Sequence, residues 1–341
     1  NYLTNNNLKT LRLFLLDKTS IDHILVFSGK VFQRVSVDSA VIVVTSGMST
    51  TTGFEMKHMK AKENAMEEDF RVLIDAAACR KSDVVLLTTT RNISADPVFE
   101  KINNLSVELV KLANVNFGKQ LRDRKSFTMD VIKIGALTEI RKPYRPCYTG
   151  RDVGRYFLNW NNLVCLDVRE AQCGGCWDDE KQNSKNKLLC KQIGKYPIFS
   201  LDVEGYQCLN TIFMINLLPS IDVSIKYILG ILNSSLLMWY WRQRFYDQRE
   251  TFPKIKGAYL KKLPIRTIDI SNKQEKVQHD KLVSLVSSML YLHKQLQSAK
   301  TEQDKTIIQR QINSTDKEID RLVYELYELT PDEIKIVEGR S

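Results

Sequence analysis

Two apolar stripes near the C-terminus constrain the fold most tightly. Leu282, Leu285, Met289, Leu292 and Leu296 recur at alternating spacings of three and four. After a polar stretch at 298–304, Ile308, Ile312, Ile319, Leu322 and Leu326 resume a heptad-like spacing. Side chains three and four apart share one face of a helix, so each stripe is a seam that must be covered. Two helices of about 25 residues joined by a short turn meet that need as an antiparallel hairpin. Thr330-Pro331 ends the second helix, and Asp332-Glu333 suits a further short helical turn.

The rest of the 341 residues has room for one or two more compact units. Leu8, Leu11, Leu15 and Leu16 fall at helical spacing, and residues 21–27 form a short apolar strand. Residues 40–44, Ala-Val-Ile-Val-Val, have the continuous hydrophobicity of a strand buried on both faces. Residues 47–68 are polar and of mixed charge, which predicts an exposed loop. A further strand is expected at 83–87 and a linker at 91–104. From 107 to 265 short segments with scattered Gly, Pro, aromatic and basic residues predict an α+β domain.

Charge is distributed unevenly. Residues 1–106 hold 13 Lys/Arg against 12 Asp/Glu, residues 107–265 hold 25 against 15, and residues 266–341 hold 12 against 13. The middle segment therefore carries the whole formal excess of +10. A basic domain between two neutral ones suits a polyanion partner, since each phosphate it neutralises releases a counterion. No membrane span is expected, because Asp222 and Lys226 interrupt the most apolar region, 211–241, short of the ~18 uncharged residues a span needs. Seven cysteines, Cys79 to Cys208, without a secretory signal suggest reduced thiols in a cytoplasm.

Several chemistries are missing. No glycine-rich turn follows the first strand, and the eight prolines are isolated, so no Pro-Pro-aromatic tetrapeptide exists to hold an adenine amino group. No phosphate-binding P-loop and no His-Glu-x-x-His pair occur. Asp38 with Glu55-x-Lys57 is too short a pattern to carry a nuclease reading. Cys173-Gly174-Gly175-Cys176, near Cys165 and Cys190, could supply half a zinc site, but reads better as a glycine turn flanked by buried thiols. The Trp239–Tyr246 aromatic run reads as a core helix with Arg242 and Arg244 at its surface.

Three sets of residues resemble one family. Leu11-Arg12-x-Phe14-Leu15-Leu16, the strand to Phe27, Lys30-Val31-Phe32, Val37 and Val41–Val44 are similar to the last part of the catalytic domain of adenine-N6 methyltransferases of the Eco57I and TaqI types. Gly118-Lys119-Gln120-Leu121-Arg122-Asp123-Arg124, Tyr144-Arg145-Pro146-x-Tyr148-Thr149-Gly150-Arg151-Asp152-Val153-x-Arg155-Tyr156, Lys187-Leu188-Leu189 through Ile193-Gly194-Lys195, Leu232-Asn233-Ser234 and Phe252-Pro253-Lys254-Ile255-Lys256 through Leu263-Pro264-Ile265 resemble the target-recognition domain of type IIG restriction-modification enzymes. Glu318-Ile319-Asp320-x-Leu322-Val323-Tyr324-x-Leu326-Tyr327-x-Leu329 resembles their C-terminal helical signature.

The resemblance implies an α/β fragment, the end of a Rossmann-like methyltransferase domain, at 1–106. An α+β target-recognition domain follows at 107–268 and a helical-hairpin spacer at 269–341. Duplex DNA is the implied partner, together with a catalytic methyltransferase or nuclease part carried elsewhere: an earlier stretch of a larger chain, or a split subunit. The implied cofactor, S-adenosylmethionine, belongs to that parent, with no catalytic or metal-ligating residue expected in this chain. Phe32 matches the aromatic that stacks on a flipped adenine, although a core role suits it equally. Lys119, Gln120, Arg122 and Arg124 would place base readers on a turn, with Gly118 permitting close approach. Arg145, Arg151, Arg155, Lys254 and Lys256 suit phosphates. The alternative is a protein-interaction module whose hairpin docks a separate catalytic subunit. An enzyme of unrecognised chemistry is disfavoured, because His23, His58, His279 and His293 form no constellation in the sequence.

Overall fold

The structure, a computed structural model, describes residues 3, 8–28, 39–47, 52–62, 65–81, 97–136, 143–245 and 253–339. The chain divides into two compact units: Asn1–Phe99 with Asp247–Pro253, and Glu100–Tyr246 with Lys254–Ser341.

In the first unit, helix α1 (Lys9–Lys18) leads directly into strand β1 (Thr19–Ser28). Strands β2 (Ser39–Ser46), β3 (Gly53–Lys62) and β4 (Ala65–Asp75) follow, and then the short helix α2 (Ala76–Lys81). The sheet order is β2-β1-β3-β4, with β1 parallel to β3 and the outer pairs antiparallel. Leu16, Ile21, Ile24, Phe54, Met56 and Ile74 form its core.

Three expectations are corrected here. Much of 47–68 is strand, not exposed loop: Phe54, Met56 and His58 alternate inward along β3. The charges that suggested a loop lie on the other face, where Glu55 pairs with Lys57 and Arg71, each at 3.6 Å. The 40–44 strand exists but is not buried on both faces, since β2 is an edge with Val41 47% and Val44 39% exposed. The strand expected at 83–87 lies outside the described residues, as does Phe32. The 91–104 segment is not all linker, because Pro97 opens helix α3 (Pro97–Asn104).

The second unit is built on small sheets. In chain order its strands are β5 (Ser106–Glu108), β6 (Ala113–Phe117), β7 (Gln120–Leu121), β8 (Val131–Lys133), β9 (Tyr144–Tyr148), β10 (Val153–Gly154), β11 (Phe157–Leu158), β12 (Leu163–Leu166) and β13 (Gln172–Gly174). After helix α4 (Asp179–Asn183) come β14 (Lys187–Lys191), β15 (Phe199–Asp202), β16 (Gln207–Cys208) and β17 (Ile212–Leu217). Helices α5 (Ile225–Leu232), α6 (Ser235–Arg244) and α7 (Gly257–Leu260) precede β18 (Pro264–Arg266). One four-stranded sheet runs β15-β14-β17-β6 and another β16-β9-β12-β8. Three two-stranded pairs, β7–β13, β10–β11 and β5–β18, complete the set.

The hairpin is formed by α8 (Lys273–Ser298) and α9 (Glu302–Leu326), followed by α10 (Pro331–Glu338). Asn272 and Thr301 cap the first two, and Thr330 forms a capping box with Glu333. The buried seam of α8 is His279, Leu282, Val286 and Met289: Leu282 and Met289 are buried as expected, Val286 stands in for Leu285, and Leu285, Leu292 and Leu296 are half-buried. Gly230 explains part of that seam: a Cβ there would lie 2.9 Å from both Leu282 and Val286, so α5 and α8 meet at close range. On α9, Ile312, Ile319, Leu322 and Leu326 are buried as expected, whereas Ile308 is half-buried.

Polar bonds fix the hairpin to the sheets. Arg155 forms two hydrogen bonds with Asp316, at 2.9 and 2.6 Å, and two with the Asn233 carbonyl. One turn on, Asp320 accepts from Ser235 N and Oγ at the start of α6. Tyr327, fully buried, donates to the Pro264 carbonyl and accepts from Arg266 N. The α6 aromatics Trp239, Tyr240 and Trp241 are buried and Arg242 and Arg244 exposed, as the sequence predicts.

Candidate nucleic-acid interface

β7 follows a tight crossing of backbones. A Cβ on Gly118 would collide with the Leu209 carbonyl oxygen and lie 2.5 Å from that of Cys208. Gly118 therefore serves close contact between segments of this chain. Lys119 N donates to Cys208 O at 2.7 Å and holds the crossing.

β7 pairs with β13, Gln120 opposite Gly174 and Leu121 opposite Gln172. Gly174 and Gly175 both have positive φ, as the predicted glycine turn requires. The flanking thiols are not buried as a pair: Cys173 is exposed and Cys176 half-buried. No group of three or more His, Cys, Asp or Glu among the described residues could hold a metal ion.

Strand alternation buries Leu121 and leaves Gln120 and Arg122 outward. Lys119, Gln120, Leu121, Arg122, Asp123, Arg124, Cys173 and Asn210 line an open groove of about 450 Å³. Gln120 and Arg124 are exposed, and neither side chain forms a hydrogen bond or ion pair with a described residue. Arg122 is held by Asp130 through two bonds, at 3.0 and 2.6 Å, with its guanidinium 4.0 Å from the Phe127 ring centre. That hydrogen bonding holds the guanidinium pKa above its ordinary value.

Lys119 sits differently. It is buried, ion-paired to Asp167 at 2.5 Å, with its ammonium 4.5 Å from the centre of the Trp177 ring. Asp167 also pairs with half-buried Arg145 at 2.9 Å, so one carboxylate ties β7 to β9. Asp130, Phe127, Asp167 and Trp177 were not singled out from sequence. They lie 5 to 58 residues from the cations they serve, and only a sequence-distant pairing could have marked them.

The Tyr-Thr-Gly-Arg-Asp-Val run is a built turn. Buried Asp152 accepts from Thr149 N, Thr149 Oγ1, Asn161 N and Asn161 Nδ2, all within 2.9 Å. Gly150 N donates to Thr211 Oγ1. Arg151, between them, is exposed. In the Leu-Asn-Ser run, the Asn233 amide accepts from Phe199 N and donates to Phe199 O, both at 2.9 Å. Lys254 is exposed, and the Lys256 ammonium lies 5.1 Å from the centre of the Tyr259 ring. The expected contact residues are thus dispersed: Lys119, Gln120, Arg122 and Arg124 share the groove, Arg145 joins it through Asp167, and Arg155 is turned to the hairpin.

No curated protein matches the chain. Among solved structures, the type IIL restriction-modification enzyme MmeI in complex with DNA aligns over 99% of this chain and 48% of its own, at 12% identity and a TM-score of 0.56. That value shows a shared fold. The type IIG restriction endonuclease BpuSI aligns over 97% of this chain and 47% of its own, at 11% identity and a TM-score of 0.38. The chain spans about half the length of these structures. The family model for the TaqI-like C-terminal specificity domain matches residues 145–265, and the chain is similar to that family over this segment.

Proposed function

We propose that this chain reads a short duplex-DNA sequence on behalf of a restriction-modification adenine-N6 methyltransferase. The specificity-domain match over 145–265 carries the reading. The basic excess in 107–265 and the open groove at 119–124 support it. Gln120, Arg122 and Arg124 contact base edges, where Arg suits guanine and Gln suits adenine. Arg145, Arg151, Lys254 and Lys256 take phosphates, which set register without carrying sequence. Lys119 and Arg155, whose charges meet carboxylates at short range, act by fixing their neighbours.

The parallel pairing of β1 with β3 supports residues 1–106 as the end of a Rossmann-like methyltransferase domain. Residues 107–268 are then the recognition domain and 269–341 the helical spacer. S-adenosylmethionine and the methyl-transfer residues are supplied by another part of the enzyme. Phe32, the candidate for stacking on a flipped adenine, rests on the family resemblance. No helix among the described residues is long and apolar enough to cross a membrane.

Fluorescence anisotropy with labelled duplexes tests the interface. Replacing Gln120 and Arg124 together by Ala lowers sequence preference at the base pairs those two residues read and weakens binding. Unchanged preference and affinity in that variant would place the interface elsewhere.

A further inference from the structure

Unlike exposed Gln120 and Arg124, Arg122 has its orientation fixed by two independent contacts while part of its side chain stays open. Asp130 engages Nε and Nη2 side-on through parallel hydrogen bonds. A guanidinium carries five N–H groups, so this pairing leaves one on Nη2 and both on Nη1. These three form the end of the fork, the edge that matches guanine O6 and N7 in the major groove. The Phe127 ring covers one face of the same group at 4.0 Å. Asp130 itself is 1% exposed, and its charge is met at 2.6 Å by Arg122. Arg122 lines the groove between Gln120 and Arg124, and its side chain keeps 26% of its surface open.

A free arginine on a surface turn loses much rotamer freedom when it docks. Here that ordering is already done before any ligand arrives. A cation meant only for phosphate gains nothing from a planar brace and a stacked ring, since phosphate accepts a point charge from many directions.

We propose that Arg122 reads a guanine, and that Asp130 and Phe127 are its positioning residues. This rests on the groove being a DNA-base interface. Asp130 aims the end of the fork, and Phe127 fixes its plane.

The test uses the full 341-residue chain. Its preferred sequence is first selected from a random duplex pool, and each base pair of that sequence is then replaced in turn. Arg122→Lys keeps the charge and loses the fork. It is expected to lower discrimination at one G·C pair by about 10- to 100-fold, with other positions and the salt slope unchanged. Asp130→Asn is expected to lower discrimination several-fold at that same pair, and Phe127→Tyr to preserve it. A brace with a merely structural role would move affinity for all duplexes alike. Three outcomes overturn the inference while DNA reading stands: discrimination kept everywhere in Arg122→Lys, a uniform loss, or a preferred sequence with no G·C pair. Absence of any preferred sequence for the unmodified chain overturns the DNA reading itself, and the inference with it. Thermal melting of each variant separates these results from misfolding.

Discussion

Asp152 has no route to solvent, and its carboxylate is consumed by four donors from Thr149 and Asn161. In sequence it stands beside Arg151 in one short run, and nothing in composition separates the two. The structure gives them opposite tasks: one builds the turn, and the other stands at its surface. Asp152→Ala leaves buried donors without an acceptor, so unfolding in urea should show a loss of about 2–4 kcal/mol. Arg151→Gln should change stability by less than about 0.5 kcal/mol and reduce the salt slope of DNA binding by about 0.9. Which cations would be exposed was not legible residue by residue. Lys119 looks like Arg124 in sequence, yet burial depends on Asp167, 48 residues away, closing over it.

The helices were the most legible elements, because a seam repeated over two long segments can be read without knowing its partner. The exact face on α8 was not legible: Val286 replaces Leu285 in the buried seam where Gly230 of α5 lets the helices approach. β3 was hidden for a related reason. Its Phe54, Met56 and His58 alternate correctly, but paired charges on the outer face gave the segment the composition of a loop. β7 owes its position to Gly118, whose missing side chain lets the backbone cross that of Leu209. Gly118→Ala should therefore displace β7, lower stability by about 1–3 kcal/mol in thermal unfolding, and weaken sequence preference more than non-specific binding. Equal stability in that variant would show the crossing to be more pliable than the carbonyl contacts allow.

At the scale of the whole molecule, the basic excess, the specificity-domain match over 145–265 and the open groove at 119–124 fall in one unit. Within that unit the hairpin is held to the preceding elements through Arg155–Asp316, Ser235–Asp320 and Tyr327. Charge gives attraction to any duplex, whereas fixed side chains give choice among sequences. The most direct measurement of the central claim is selection from a random duplex pool with sequencing, carried out at two salt concentrations. The account predicts one short enriched sequence at both, with affinity falling steeply as salt rises. Salt-sensitive retention with no enriched sequence, or no binding at either concentration, would contradict it.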